Sequence, residues 1–136
     1  MKNYLPFLLI LAIILSACTS QADSLTGKWK LASYGPAESM TAAVPGADAT
    51  LTFAEDGTVS GGSGCNSLGG EYAVEGSQIT FSALTATLMA CENALMDQES
   101  AVIQVLNGAA EYEIKDQTLT IENSGMLLVF TSVPAE

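Results

Sequence analysis

The side chains able to do chemistry are few: Cys18, Cys65 and Cys91, fifteen Asp and Glu residues, four Lys or Arg residues, and no His. A nucleophilic cysteine needs a positive neighbourhood or a base to become a thiolate, and a chain without His lacks the usual base. A zinc site built on two cysteines without His would need carboxylates to complete it. Catalysis by paired carboxylates needs two acids fixed in one cleft with separated protonation behaviour. Glu71, Glu75, Glu111 and Glu113 instead fall in strands or turns where polar alternation already accounts for them. The sequence therefore nominates no catalytic, cofactor-binding or metal-ligating residue, and the chain is expected not to be an enzyme.

Cys18 has a different chemistry. Lys2 precedes an unbroken apolar stretch, Leu5 to Ala17, the layout of a secretory signal peptide. The stretch is too short to cross a bilayer, which takes about 20 apolar residues. Leu15-Ser16-Ala17-Cys18 matches the lipobox of bacterial lipoproteins. Residues 1–17 are thus expected to be removed and Cys18 to carry fatty-acyl (palmitate-type) lipid. One acyl chain binds a membrane marginally, whereas several hold it stably. Thr19 follows Cys18 where many inner-membrane lipoproteins have Asp. The expected location is therefore the cell envelope: the outer membrane in a Gram-negative cell, the outer face of the cell membrane otherwise.

With Cys18 lipidated, Cys65 and Cys91 remain as an even pair outside the cytoplasm, where disulfides persist. A bridge between them would close a loop of about 26 residues, worth roughly 3.5 kcal/mol by chain entropy.

The elements that position these residues are short. After a small, polar tether (residues 18–24), residues 25–133 are expected to form one domain, enough for a modest core. Leu25 to Tyr34 alternates around Trp29 and Leu31 as a half-buried strand, and Gly35 to Gly46, with its prolines and glycines, reads as a loop. Ala49 to Ala54 and Thr58 to Gly61 flank an Asp56-Gly57 hairpin turn. Gly70 to Val74 and Gln78 to Phe81 repeat that arrangement around Gly76. Glu111 to Lys115, Leu119 to Asn123 and Met126 to Ser132 form a meander with turns at Asp116-Gln117 and Ser124-Gly125.

Between these groups the apolar period changes. Leu95, Met96, Ala101, Val102, Val105 and Leu106 recur at three- and four-residue steps, so Asn93 to Leu106 is expected to be an amphipathic helix, with Asn93 as N-cap and Asn107-Gly108 as its stop. The predicted fold class is mainly β: a small antiparallel sheet, curled or closed into a barrel, with one packed helix.

Gly61 to Gly70 carries no Lys or Arg and lacks the Gly-Lys-Ser/Thr ending of a phosphate-binding loop, so its glycines are expected to permit a bend or bulge and a close backbone approach. The formal net charge of −11, with only Lys28, Lys30 and Lys115 left as cations after Lys2 is removed, excludes nucleic acid as a partner. The acids are scattered, as on a solvated surface.

Two segments, Gly64-Cys65-Asn66-Ser67-Leu68-Gly69-Gly70 and Leu84-Thr85-Ala86-Thr87-Leu88-Met89-Ala90-Cys91, resemble the META domain of HslJ-like proteins. The resemblance runs from Gly27-Lys28-Trp29 to Phe130 and marks Gly64, Cys65, Asn66, Gly70, Met89, Ala90 and Cys91 as motif residues. It implies a small barrel-like β fold on an envelope lipoprotein, a link to heat shock and antibiotic tolerance, no established enzymatic activity, and two cysteine-bearing segments that meet in space. Leu88 departs from the Thr-Arg-Met-Ala-Cys pattern frequent in the family. The expected role is non-enzymatic: structural support or contact with an envelope protein, on a membrane reached through Cys18. The alternative expectation is a β-barrel that binds a small apolar ligand.

Overall fold

The computed structural model describes residues 24–136; the expected signal peptide, the expected lipidation site Cys18 and the expected tether up to Asp23 lie outside the described residues. Nine strands and one helix follow in the order β1 (Gly27–Pro36), β2 (Thr41–Ala42), β3 (Ala49–Phe53), β4 (Thr58–Ser63), β5 (Ser67–Glu75), β6 (Gln78–Ala86), α1 (Asn93–Val105), β7 (Ala109–Lys115), β8 (Thr118–Asn123) and β9 (Met126–Val133). Every strand pairing is antiparallel, and β9 returns to pair with β1, closing β1 and β3 to β9 into a barrel. The two-residue β2 pairs with the end of β1, inside the segment read as a loop.

The turns follow their chemistry. Asp116 and Gln117 both take positive φ (49° and 62°), as do Ser124 and Gly125 (54° and 80°), the requirement of a two-residue hairpin whose twist matches the strands. The Asp56-Gly57 turn is held by the Asp56 carboxylate, which accepts from the Thr58 backbone N–H and hydroxyl.

Alternating side chains of the strands fill the barrel. Phe53, Phe81, Phe130, Leu51, Ile79, Leu119, Ile121 and Leu128 form one core cluster with Val102, Val105 and Leu106 of the helix segment. Each such side chain contributes on the order of 1.5–3 kcal/mol when fully buried. Trp29 joins the core and donates its indole N–H to the Leu25 carbonyl at 2.8 Å, so its one polar atom is satisfied.

The helix lies across one end of the barrel, packing chiefly on β9, β1, β4 and β8. Its C-terminus is docked by Asn123, whose amide donates to the carbonyls of Gln104, Val105 and Asn107. Gly108, at φ 83°, supplies the stop.

Several element boundaries differ from the sequence-based expectation. The N-cap is Glu92 rather than Asn93, with no side-chain capping bond. Cys91, bonded to Cys65, immediately precedes that N-cap, so the start of the helix is tied covalently to the turn after β4. β5 begins at Ser67 and β6 runs on to Ala86, because glycines and a bulge conceal the strand alternation there.

Candidate functional site

The two motif segments meet at the barrel end covered by the helix. Cys65, in the turn after β4, is bonded to Cys91, the residue before the helix N-cap, with the Cα atoms 6.0 Å apart.

Asn66 joins the same two segments through its side chain. It is 3% exposed. Its Oδ1 accepts from the Met89 backbone N–H at 2.7 Å and the Thr87 hydroxyl at 2.9 Å. Its Nδ2 donates to the Met89 carbonyl at 3.1 Å and to both oxygens of Glu99, at 2.8 and 2.9 Å. This pattern fixes the amide orientation, since the reverse would set the amide oxygen against a carboxylate.

Glu99 is a carboxylate 7% exposed on α1, and its second donor is the Ser63 hydroxyl at 2.6 Å. Burying such a group is costly unless charge-assisted hydrogen bonds offset the lost hydration. Gln98 beside it donates to the Ser63 carbonyl at 2.6 Å and accepts from the Val44 backbone N–H at 2.8 Å. Helix, turn and loop are thereby sewn together, and among the described residues no buried side-chain nitrogen or oxygen lacks a partner.

Gly64 and Gly70 have geometric reasons. Gly64 takes φ 97°, and a Cβ there would lie 2.9 Å from both the Ala47 Cβ and the Gln98 Nε2, so the helix packs on bare backbone. A Cβ on Gly70 would lie 2.9 Å from the Ser82 carbonyl, at the place where the β5–β6 register shifts. The expectation of a bulge and a close approach is met. Met89 enters through its backbone, while its side chain is 59% exposed and Ala90 is exposed too. Leu88 is 93% exposed.

Ser63, Thr87, Gln98 and Glu99 belong to this cluster but are not among the residues that the sequence marks as site residues. Their signal was positional: Gln98 and Glu99 stand three and four residues after Leu95, and Val102 stands four and three after them, so both polar residues sit on the helix's buried stripe.

Of the acids weighed for paired catalysis, Glu111 accepts from the Ser77 hydroxyl at 2.8 Å, while Glu71, Glu75 and Glu113 are exposed. Among the described residues no group of three or more His, Cys, Asp or Glu is placed to hold a metal.

Several solved structures share the fold. The chain is similar to a protein from Burkholderia xenovorans solved by NMR, at 27% identity, a TM-score of 0.67, and coverage of 80% of this chain and 83% of that one. A lipocalin-like protein from Bacteroides uniformis matches at 19% identity and a TM-score of 0.52, over 80% of this chain and 98% of that one. A DUF4847 family protein from Bacteroides vulgatus matches at 13% identity and a TM-score of 0.56, over 82% and 95%. No curated protein matches the sequence. The META domain family model matches residues 23–134, nearly all of the described barrel and both segments that the disulfide and Asn66 join, and the chain belongs to the META domain family.

Proposed function

We propose that the protein is a lipid-anchored envelope lipoprotein whose META barrel works without catalysis, by structural support or contact with another envelope protein, in tolerance of envelope stress. The observation that carries the reading is how the motif residues use their bonds. Cys65, Asn66, Met89 and Cys91 are tied to one another and to Ser63 and Glu99, and the result is a braced loop that presents Leu88 and Met89 outward. A cluster of this kind holds shape, and an exposed apolar pair on a fixed loop is suited to contact.

The anchor rests on Lys2, the apolar stretch Leu5 to Ala17 and the lipobox ending at Cys18, with the domain beginning near Leu25. Thr19 favours the outer membrane where there is one.

Two measurements test this. Mass spectrometry of the protein extracted from membranes should show an acylated N-terminal Cys18, and Cys18→Ser should release the protein from the membrane fraction. Crosslinking in cells should recover a reproducible envelope partner; recovery no better than from a mock-crosslinked control removes the contact role.

A further inference from the structure

Among the described residues, β6 is left open along much of one flank. It pairs with β7 only through Gln78, Ile79 and Thr80, after which the Phe81 N–H donates to the Gly108 carbonyl. Ser82, Thr85 and Ala86 keep their β5 partners, with Ala83 and Leu84 bulged between them, but Ser82 to Ala86 has no strand on the other side. The cause is the connection: the chain leaves β6 through the extended segment after Ala86 and enters α1, which packs chiefly on β9, β1, β4 and β8. Thr87 turns its N–H to the Ser67 carbonyl, so the Ala86 N–H, one residue earlier, is directed toward the open flank.

Open strand edges are normally blunted by charge, proline or a bulge, because a row of free N–H and C=O groups templates another strand. This edge carries no charge and no proline, since from Gly76 to Cys91 the sequence holds no Asp, Glu, Lys, Arg or Pro within a chain of net charge −11. Its bulge is confined to Ala83 and Leu84, beyond which Thr85 and Ala86 are again paired with β5. The edge runs into Leu88 and Met89, whose loop is fixed by Asn66 and the disulfide.

Charge sets the kind of strand that fits. Lys28, Lys30 and Lys115 lie together near the other end of the barrel, where Lys30 faces Thr131, Thr131 faces Thr118 and Thr118 faces Lys115. The helix end has the exposed acids Asp48, Glu92 and Asp97.

Placement agrees. The chain leaves β1 toward Cys18 from the lysine end, and the intervening residues span at most about 30 Å. The nine-residue β6 is itself about 30 Å long. Ala86, where the open edge finishes, lies at the opposite end of the barrel from Gly27, where the chain leaves toward the anchor proposed above. A second copy pairing β6 with β6 antiparallel would turn one barrel end for end and require one tether to stretch along the whole barrel to reach the same membrane.

We propose that Ser82 to Ala86, with Leu88 and Met89 at its end, is a docking edge for an extended segment of another envelope protein, a strand bearing Lys or Arg that adds beside β6. This deepens the contact role proposed above and rests on it.

The test is a selection of random decapeptides displayed on phage against the mature lipidated protein in detergent, followed by affinity measurements. Enriched peptides should alternate apolar and polar residues and carry Lys or Arg, and exchanging those cations for Glu should weaken binding about tenfold or more. Leu88→Lys, at an exposed position, should weaken binding about tenfold by like-charge contact. Ala86→Pro should abolish it by removing the outward N–H. NMR shifts on peptide addition should centre on Leu84 and Ala86. Absence of enrichment, equal binding to wild type and both variants, or edge shifts that follow protein concentration without peptide overturns the proposal. Crosslinks in cells that persist in both variants would leave the contact role standing and remove this edge from it.

Discussion

Asn66 offers the sharpest test of the cluster, because its amide bridges a buried carboxylate and a loop backbone. Asn66→Ala removes the charge-assisted donation to Glu99 and the bonds to Met89 and Thr87. A hydrogen bond to a charged group is worth roughly 1.5–3 kcal/mol and a neutral one about 1 kcal/mol. The Met89 and Thr87 groups lie near the surface and can turn to water, so the net cost should be about 3 kcal/mol. Chemical denaturation of the oxidised protein measures this directly, and the urea m-value should stay unchanged.

Asn66→Asp separates electrostatics from shape. The substitution keeps an acceptor for Met89 and nearly the same volume, but it sets a second carboxylate against Glu99. Two carboxylates in contact resist joint ionisation, so one holds its proton to higher pH in the folded variant than in the unfolded chain. A folded-state rise for an acid destabilises above the folded pKa and is relieved as pH falls through it. Asn66→Asp should therefore be less stable than Asn66→Ala at pH 7, with the gap closing toward pH 4. If Asn66→Asp matches wild type at pH 7, or Asn66→Ala costs under about 1 kcal/mol, the cluster does not hold the loop as argued.

Other expectations are simpler. Reducing Cys65–Cys91, which spans 26 residues of sequence, should cost about 3.5 kcal/mol, read as a lower denaturation midpoint with reductant than without. Gly61→Ala should prevent folding or cost more than about 4 kcal/mol, because the new Cβ falls on the Thr50 carbonyl; circular dichroism would show it. Hydrogen bonds from the Thr58 hydroxyl and backbone hold the Asp56 carboxyl below its ordinary range. Its stabilising effect is thus present above the unfolded-state pKa and is lost as pH falls through the folded one. Thr58→Val should raise the Asp56 titration midpoint, seen by NMR.

The strands were legible because period-two alternation and turn residues coincide: the turns at Gly57, Gly76, Asp116-Gln117 and Ser124-Gly125 all fall where the chain reverses. Legibility failed where side chains stop reporting on the fold. Ser67 to Gly70 is strand, but two glycines there have no side chain to alternate. Ala83, at φ 51°, lies in the register shift that hides the second half of β6. Gln98 and Glu99 were missed for another reason, since a polar residue on an apolar stripe reads as an interruption until its partners are known. Those partners, Ser63 and Asn66, stand more than 30 residues earlier. No local pattern links them. The family motif marked Asn66 but not the carboxylate it serves.

Leu88 decides what the Arg frequent at this place in similar chains can do. One possibility is pairing with a buried acid, and Glu99 is the acid at hand. Glu99 already holds the Ser63 hydroxyl and the Asn66 amide, whereas Leu88, one residue before Met89, is 93% exposed. An Arg there would begin in water, and a solvent-screened pair is worth under about 1 kcal/mol. Leu88→Arg should therefore leave stability within about 0.5 kcal/mol of wild type in denaturation. A gain above about 1.5 kcal/mol would mean that the guanidinium reaches Glu99 and that the cluster admits a cation. The expected null result leaves the side chain at this position free to act on what the loop touches.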